Sequence, residues 1–175
     1  MARLLYSAAM SLDGFIAGPD QDMSWLTDYA AEPNPTADRL LSRVGAVLAG
    51  NATFGGGDPN EDTEAEGAFG GRYDGPMFVL THRPPSEPVP GVTFVGDLRT
   101  AVAEAATAAG EDYVNVLGAD VARQCIEAGL LDEVLVMVVP VLLGGGTRLF
   151  DRPGGPPVAL ERLAGEDAHW YRVTY

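Results

Sequence analysis

Between Tyr113 and Phe150 the chain reads YVNVLGADVARQCIEAGLLDEVLVMVVPVLLGGGTRLF, and no other stretch limits the possible folds as much. Tyr113, Val114, Val116 and Leu117 form a β-branched and aromatic run that stops at Gly118, as a strand does on reaching the edge of a sheet. From Ala119 the apolar spacing turns helical. Val121 and Cys125 fall on one line, Ala122 and Ile126 on the next, and Gly129 stands where a C-terminal cap belongs. Val134 to Leu143 is almost purely apolar without alternation, which predicts a strand covered on both faces and central to its sheet. Strand, short helix and neighbouring strand make a crossover unit. The N–H groups at the helix start then point out at the strand's C-terminal edge and favour anions. That describes a phosphate seat; the plainer alternative is that Gly118 merely allows a tight turn.

With 175 residues the chain is long enough for one well-buried domain and too short for two comfortable ones, so a single domain over 1–175 is expected. Its 11 basic and 25 acidic residues leave a net charge of −14, which disfavours nonspecific contact with nucleic acid or anionic membranes. Any anionic ligand must be held by local features. All 11 basic residues are arginine, so Schiff-base chemistry, pyridoxal phosphate anchoring and the Walker phosphate lysine are excluded together. Cys125, the single cysteine, lies on the apolar face of the predicted helix and reads as a small core residue. His82 and His169 lack a second ligand at metal spacing, so no metal site is expected. The longest apolar run, Val134 to Leu143, is interrupted by Pro140 and half the length of a membrane span, and no signal-type core precedes Arg3. A cytoplasmic location is expected.

The rest of the chain can be placed against this unit. Arg3 to Met10 predicts an interior first strand, followed by a loop whose Phe15 and Ile16 act as packed anchors. Trp25 and Met23 fall in an irregular segment and either plug the core or line a cleft. Thr36 is placed to cap a helix with Leu40, Leu41 and Val44 inward and Gly45 as its stop. Asp38, in that helix's first turn, either complements the dipole or borders the cleft. Ala46 to Gly50, Met77 to Leu80 and Val92 to Val95 predict further strands, with Asn51 to Phe54 turning away and Thr81, His82 and Arg83 left at a strand tip by Pro84 and Pro85. Gly55 to Gly75 has little to bury and reads as a mobile excursion or a lid. Asp97 caps a helix bearing Leu98, Val102, Ala105 and Ala109 and ended by Gly110. The tail alternates Tyr171, Val173 and Tyr175 against Trp170, Arg172 and Thr174, as an antiparallel strand would. Alternating strands and helices predict a three-layer α/β domain with a mostly parallel central sheet and antiparallel C-terminal strands.

Six segments together resemble the dihydrofolate reductase-like family, and within it the C-terminal reductase domain of the bifunctional riboflavin-biosynthesis deaminase/reductase and its stand-alone relatives. They are YSAAMSLDGFIAGPD from Tyr6, DMSWL from Asp22, VLAGNATF from Val47, FVLTHRPP from Phe78, VNVLGADVARQ from Val114 and AGLLDEVLVMVVPVLLGGGTRLF from Ala128. The resemblance runs over nearly the whole chain. It implies a dihydrofolate reductase-like fold and NADPH lying across the strand tips, and, with the apolar surface offered by the long strand and the segment from Pro140 to Phe150, leads to a homodimer as the expected assembly. It places Gly50, Asn51 and Thr53 at the phosphates, Thr81, His82 and Arg83 around the adenosine 2′-phosphate, and Leu117, Gly118, Ala119 and Asp120 at the pyrophosphate. Asp13, Trp25 and Asp38 fall on the substrate side, with Asp38 favoured as the acid. The implied activity is an NADP-dependent oxidoreductase acting on a small pterin-like or ribosylamino-pyrimidine substrate. Two positions depart from the family pattern: Asn51 stands where arginine is usual, and Asp120 puts a carboxylate beside the pyrophosphate seat unless it turns away to cap the helix. They motivate the alternative, a noncatalytic or regulatory nucleotide-binding domain on the same fold.

Overall fold

The computed structural model describes residues 1–30, 33–55, 67–163 and 169–175. Its strands are Arg3–Ser11 (β1), Phe15–Ala17 (β2), Val44–Gly50 (β3), Met77–Leu80 (β4), Val92–Val95 (β5), Tyr113–Leu117 (β6), Glu133–Val139 (β7), Thr147–Arg148 (β8), Ala159–Arg162 (β9) and His169–Thr174 (β10). Eight of them form one sheet in the order β5-β4-β3-β6-β1-β7-β10-β9, while β2 and β8 make a separate ribbon. Pairings from β5 through β7 are parallel, and β10 and β9 attach antiparallel. The helices are Thr27–Ala30 (α1), Pro35–Leu41 (α2), Asn51–Gly55 (α3), Leu98–Ala109 (α4) and Ala119–Glu127 (α5). This is the expected three-layer, dihydrofolate reductase-like arrangement.

Both sheet faces are covered because consecutive strand residues point to opposite sides and both sets are apolar. Leu4, Tyr6, Ala46, Leu48, Val114, Val116, Val134 and Val136 pack with Ala101 and Ala105 of α4 and with Val121, Ala122, Cys125 and Ile126 of α5. Leu5, Tyr113, Leu135 and Trp170 pack on the other side with Leu40 of α2. The small residues of α4 let it lie close to β3. A Cβ built on Gly45 would meet the Ala109 carbonyl oxygen at 2.6 Å, so Gly45 is required by this approach. It lies inside β3 and does not stop α2, which ends at Leu41. Nor does Thr36 cap α2. Asn34 does, accepting from the Ala37 N–H at 3.0 Å, with Pro35 at the first helical position, where its missing donor is harmless. Asp97 and Gly110 bound α4 as expected.

Two expectations about the central unit need correction. The apolar run after Asp132 leaves the sheet at Val139, four residues before Leu143, because β1, its partner, ends at Ser11 opposite Val139 and Pro140 lacks a donor for further pairing. Beyond it Leu142 is 69% exposed. β6 and β7 are also not neighbours, since β1 lies between them. Asn51 to Phe54 forms the one-turn helix α3, and the tail strand buries Trp170 and Val173 into opposite faces. Of the Gly55 to Gly75 excursion, residues 56–66 lie outside the described residues. No described helix is long and apolar enough to cross a membrane.

At the base of the sheet, Glu133 is 1% exposed and gathers three donors. Tyr113 Oη donates to Oε2 at 2.9 Å, Trp170 Nε1 donates to Oε2 at 2.8 Å, and Arg3 Nη1 donates to Oε1 at 2.5 Å. Glu133→Leu strands the buried phenol and indole donors, each at about 1–3 kcal/mol, and should lower unfolding stability by about 2–5 kcal/mol. Urea titration checks this, and Glu133→Gln, which keeps one acceptor, should lose less.

Candidate active site

The C-terminal edge of the parallel strands is split. β1 pairs with β6 from Arg3 opposite Tyr113 to Tyr6 opposite Val116 and then parts from it. Beyond that level β1 stays with β7 up to Ser11 opposite Val139, and β6 stays with β3 up to Ala49 opposite Leu117. The onward connections diverge at the same place. The chain leaving β1 returns to the sheet as β3, beyond β6, and the chain leaving β6 returns as β7, beyond β1. Such a switch point is where open α/β sheets hold their ligands.

On the β6 side of the seam lies an anion seat. Gly118 takes a φ of 95°, which a side chain disfavours, and stands as the N-cap of α5 with no side-chain cap. The first-turn N–H groups of α5 have no helical acceptors, and among the described residues no side chain takes their place. The Thr53 hydroxyl rests against Gly118 so closely that a Cβ there would overlap it, and a Cβ on Gly50 would lie 3.1 Å from Val121 Cγ2. Glycine at these two positions lets the tip of β3 and the start of α5 close into one cradle. Leu117, Gly118 and Ala119 are partly exposed along it, and Asn51 opens α3 beside it fully at the surface.

Asp120 neither caps α5 nor meets the seat with an unpaired charge. Its carboxylate turns back along the helix, accepting from Arg123 Nη2 at 2.6 Å and from Gln124 Nε2 at 2.8 Å. The Arg123 bond, followed by that from Gln124, holds its carboxyl below the ordinary range. Two strands away, at the tip of β4, Thr81 is buried and its Oγ1 accepts from the Arg83 N–H at 3.1 Å, curling the turn. His82 and Arg83 project exposed from it, and the Arg83 guanidinium has no ion-pair partner among the described residues.

The three substrate-side candidates have different environments. Asp13, in the loop after β1, accepts from Ser11 Oγ at 2.6 Å, from the Leu143 N–H at 3.1 Å and from the Gly144 N–H at 2.7 Å. Those bonds, Ser11's foremost, lower its pKa to about 2 from the ordinary 3.8. Trp25 is half-buried in the 3-10 turn Ser24–Leu26, and its Nε1 is shielded with no hydrogen-bond partner among the described residues. Asp38 sits in the first turn of α2, 54% exposed, paired with Arg72 Nη1 at 2.8 Å. No hydrogen bond joins these three to one another among the described residues. Sequence reasoning missed Ser7 and Asn115, buried polar residues where the seam opens, although an asparagine inside the run YVNVL was a visible signal.

Sheet order, open seam and glycine-led helix start define an open, mostly parallel α/β sheet with a crevice at its switch point. The chain belongs to the RibD C-terminal domain family, whose model matches residues 2–173. Among its relatives are the uncharacterized proteins YwjB and YyaP of Bacillus subtilis (strain 168). YwjB is 27% identical over 143 residues, 81% of this chain and 79% of YwjB. YyaP is 27% identical over 153 residues, 85% of this chain and 80% of YyaP. A protein of Shewanella sp. PV-4 named for riboflavin biosynthesis shares the fold, with a TM-score of 0.71 at 24% identity over 100% of both chains. So does the diaminohydroxyphosphoribosylaminopyrimidine deaminase/5-amino-6-(5-phosphoribosylamino)uracil reductase of Thermotoga maritima. Its TM-score is 0.58 at 17% identity, over 98% of this chain and 55% of that one.

The Asp13 bonds give an acid-sensitive contribution to stability. Because the folded-state pKa is depressed, the contribution is fully present above the unfolded value near 3.8 and fades as pH falls toward about 2. Asp13→Asn should therefore be less stable than wild type near neutrality, and the two urea midpoints should converge as pH falls below about 4.

Proposed function

We propose that this protein is an NADPH-dependent reductase of a small ribosylamino-pyrimidine or pterin-like compound. The observation that carries the reading is the uncapped start of α5 at Gly118, with the Thr53 hydroxyl against it, placed at the seam of a RibD-family sheet. The chemistry of these donors fits a pyrophosphate: backbone N–H groups at a helix start and a hydroxyl suit phosphate oxygens, and the Asp120 charge is already engaged by Arg123. Family membership and a fold shared with a pyrimidine reductase support the substrate class.

In this reading Leu117, Gly118, Ala119 and Asp120 line the pyrophosphate, with Gly50, Asn51 and Thr53 across from them, and Thr81, His82 and Arg83 surround the 2′-phosphate. NADPH, when bound, supplies the hydride. The chain supplies position: the cradle would hold the pyrophosphate at the middle of the cofactor and the tip of β4 its 2′-phosphate, leaving the nicotinamide end to the substrate side. Asp13, held ionised, acts as a pin that sets the loop after β1 against the segment after β7. On the substrate side Trp25 brings an indole N–H that has no partner among the described residues, and Asp38, paired with Arg72, is the acid. The protein works as a homodimer, and the exposed Leu142 belongs to the contact. Light scattering at micromolar concentration should give twice the chain mass, and a monomer mass removes this part.

Titration with both nicotinamide cofactors tests the whole. NADPH should bind tighter than NADH by the worth of a charge-assisted contact, roughly 1.5–3 kcal/mol or about 10- to 100-fold. Arg83→Ala should erase most of that preference while leaving NADH affinity in place. Oxidation of NADPH should follow addition of the riboflavin-pathway pyrimidine or of dihydrofolate. Binding without turnover of either compound supports the noncatalytic reading, and no binding of either cofactor overturns the proposal.

A further inference from the structure

Where β1 parts from β6 the structure buries a polar pair whose hydrogen bonds are incomplete. Asn115 is 0% exposed, between Leu5 on β1 and Val47 on β3, each also 0% exposed. It does not lean toward the base of the sheet. Its Oδ1 accepts from Ser7 Oγ at 2.8 Å, and Ser7, itself 5% exposed, lies just past the last β1–β6 pair, Tyr6 opposite Val116. The amide is thereby drawn up to the mouth of the seam, on the face covered lower down by Leu40 of α2. Its Nδ2 has no hydrogen-bond partner among the described residues.

A buried amide nitrogen without an acceptor carries its full desolvation cost, and such groups mark places where a ligand or a bound water completes the set. One step nearer the C-terminal edge on the same face are Ala9 and Leu117, both only partly buried. The chemistry of the opening is one-sided. Nδ2 offers its protons with no acceptor among the described residues, and the Ser7 proton is committed to Oδ1. A ring carbonyl needs a donor, which the unpaired Nδ2 supplies, whereas a ring amino group gains nothing from it.

Resting on the reductase reading above, we propose that Asn115, held by Ser7, is a specificity-determining residue that donates from Nδ2 to a carbonyl oxygen on the substrate's pyrimidine ring. A site built to complete a hydrogen bond rejects analogues lacking the matching atom far more strongly than an apolar pocket rejects a change of size.

The test uses the whole chain saturated with NADPH and two probes, a diaminouracil with ring carbonyls and a diaminopyrimidine without them, titrated calorimetrically. Wild type should bind the diaminouracil about tenfold or more tighter. Asn115→Leu should abolish that preference by weakening the diaminouracil alone. Asn115→Asp, which replaces the donor by an acceptor, should reverse it, and Ser7→Ala, the gentler change, should weaken it. NADPH affinity should be the same in all four proteins. Unchanged discrimination in folded Asn115→Asp or Ser7→Ala overturns the proposal and leaves the pair as a core contact completed by water. Wild type that binds NADPH but shows no preference between the probes also overturns it while sparing the reductase reading. Failure to bind NADPH overturns both.

Discussion

The fold depends on a single carboxylate. Glu133 stands on β7 and receives Tyr113 from β6, Arg3 from β1 and Trp170 from β10, which are four consecutive strands of the sheet. Arg43 completes the surroundings, its guanidinium 4.8 Å from the centre of the Tyr113 ring and 5.9 Å from that of Trp170. Apolar burial would tolerate several relative placements of these strands. A shared acceptor with fixed donors does not, and it also ties the antiparallel β10 to the parallel part of the sheet.

Fastening the base leaves the opposite edge free to open. The strands that meet at Glu133 are held together below, while at their tips β1 follows β7 and β6 follows β3. The seam is therefore a consequence of unequal pairing along the same strands, and it puts a helix start, a strand-tip hydroxyl and a buried amide around one opening. Two connections pack on opposite faces of the sheet, α5 on one and α2 on the other. The Glu133 cluster and the open seam thus lie toward opposite ends of β1 and β6.

Much of this was legible from the residues. The unbroken apolar runs of β1, β3 and β7 follow from burial on both faces, and the change of period at Gly118 marked the start of α5. Hydrophobicity does not record where a neighbour ends, so the strand through Val139 was read on to Leu143. The order of strands was likewise hidden, because β1 enters between β6 and β7 by contacts more than a hundred residues apart in sequence. Within the site, Gly118 and Thr53 were readable as neighbours through family resemblance alone. The bonds of Asp13 were not, since its partners are backbone N–H groups 130 and 131 residues away and carry no signature of their own. The same is true of Asp120, whose direction is decided by Arg123 and Gln124 on its own helix surface, a spacing that reads equally well as solvent-facing charge.

The clasp made by Asp13 has an evolutionary asymmetry. It holds the main chain of residues 143 and 144, so the leucine side chain at 143 contributes nothing to the bond and is free to drift without loosening the loop. Gly144, at a φ of 72°, has less latitude. The side-chain share of the closure is carried by one short acidic residue, beside main-chain bonds from the Leu12 N–H to the Val141 carbonyl and from the Leu149 N–H to the Gly14 carbonyl. The rim opposite is open to variation in whatever it presents, while its position relative to the first strand stays fixed.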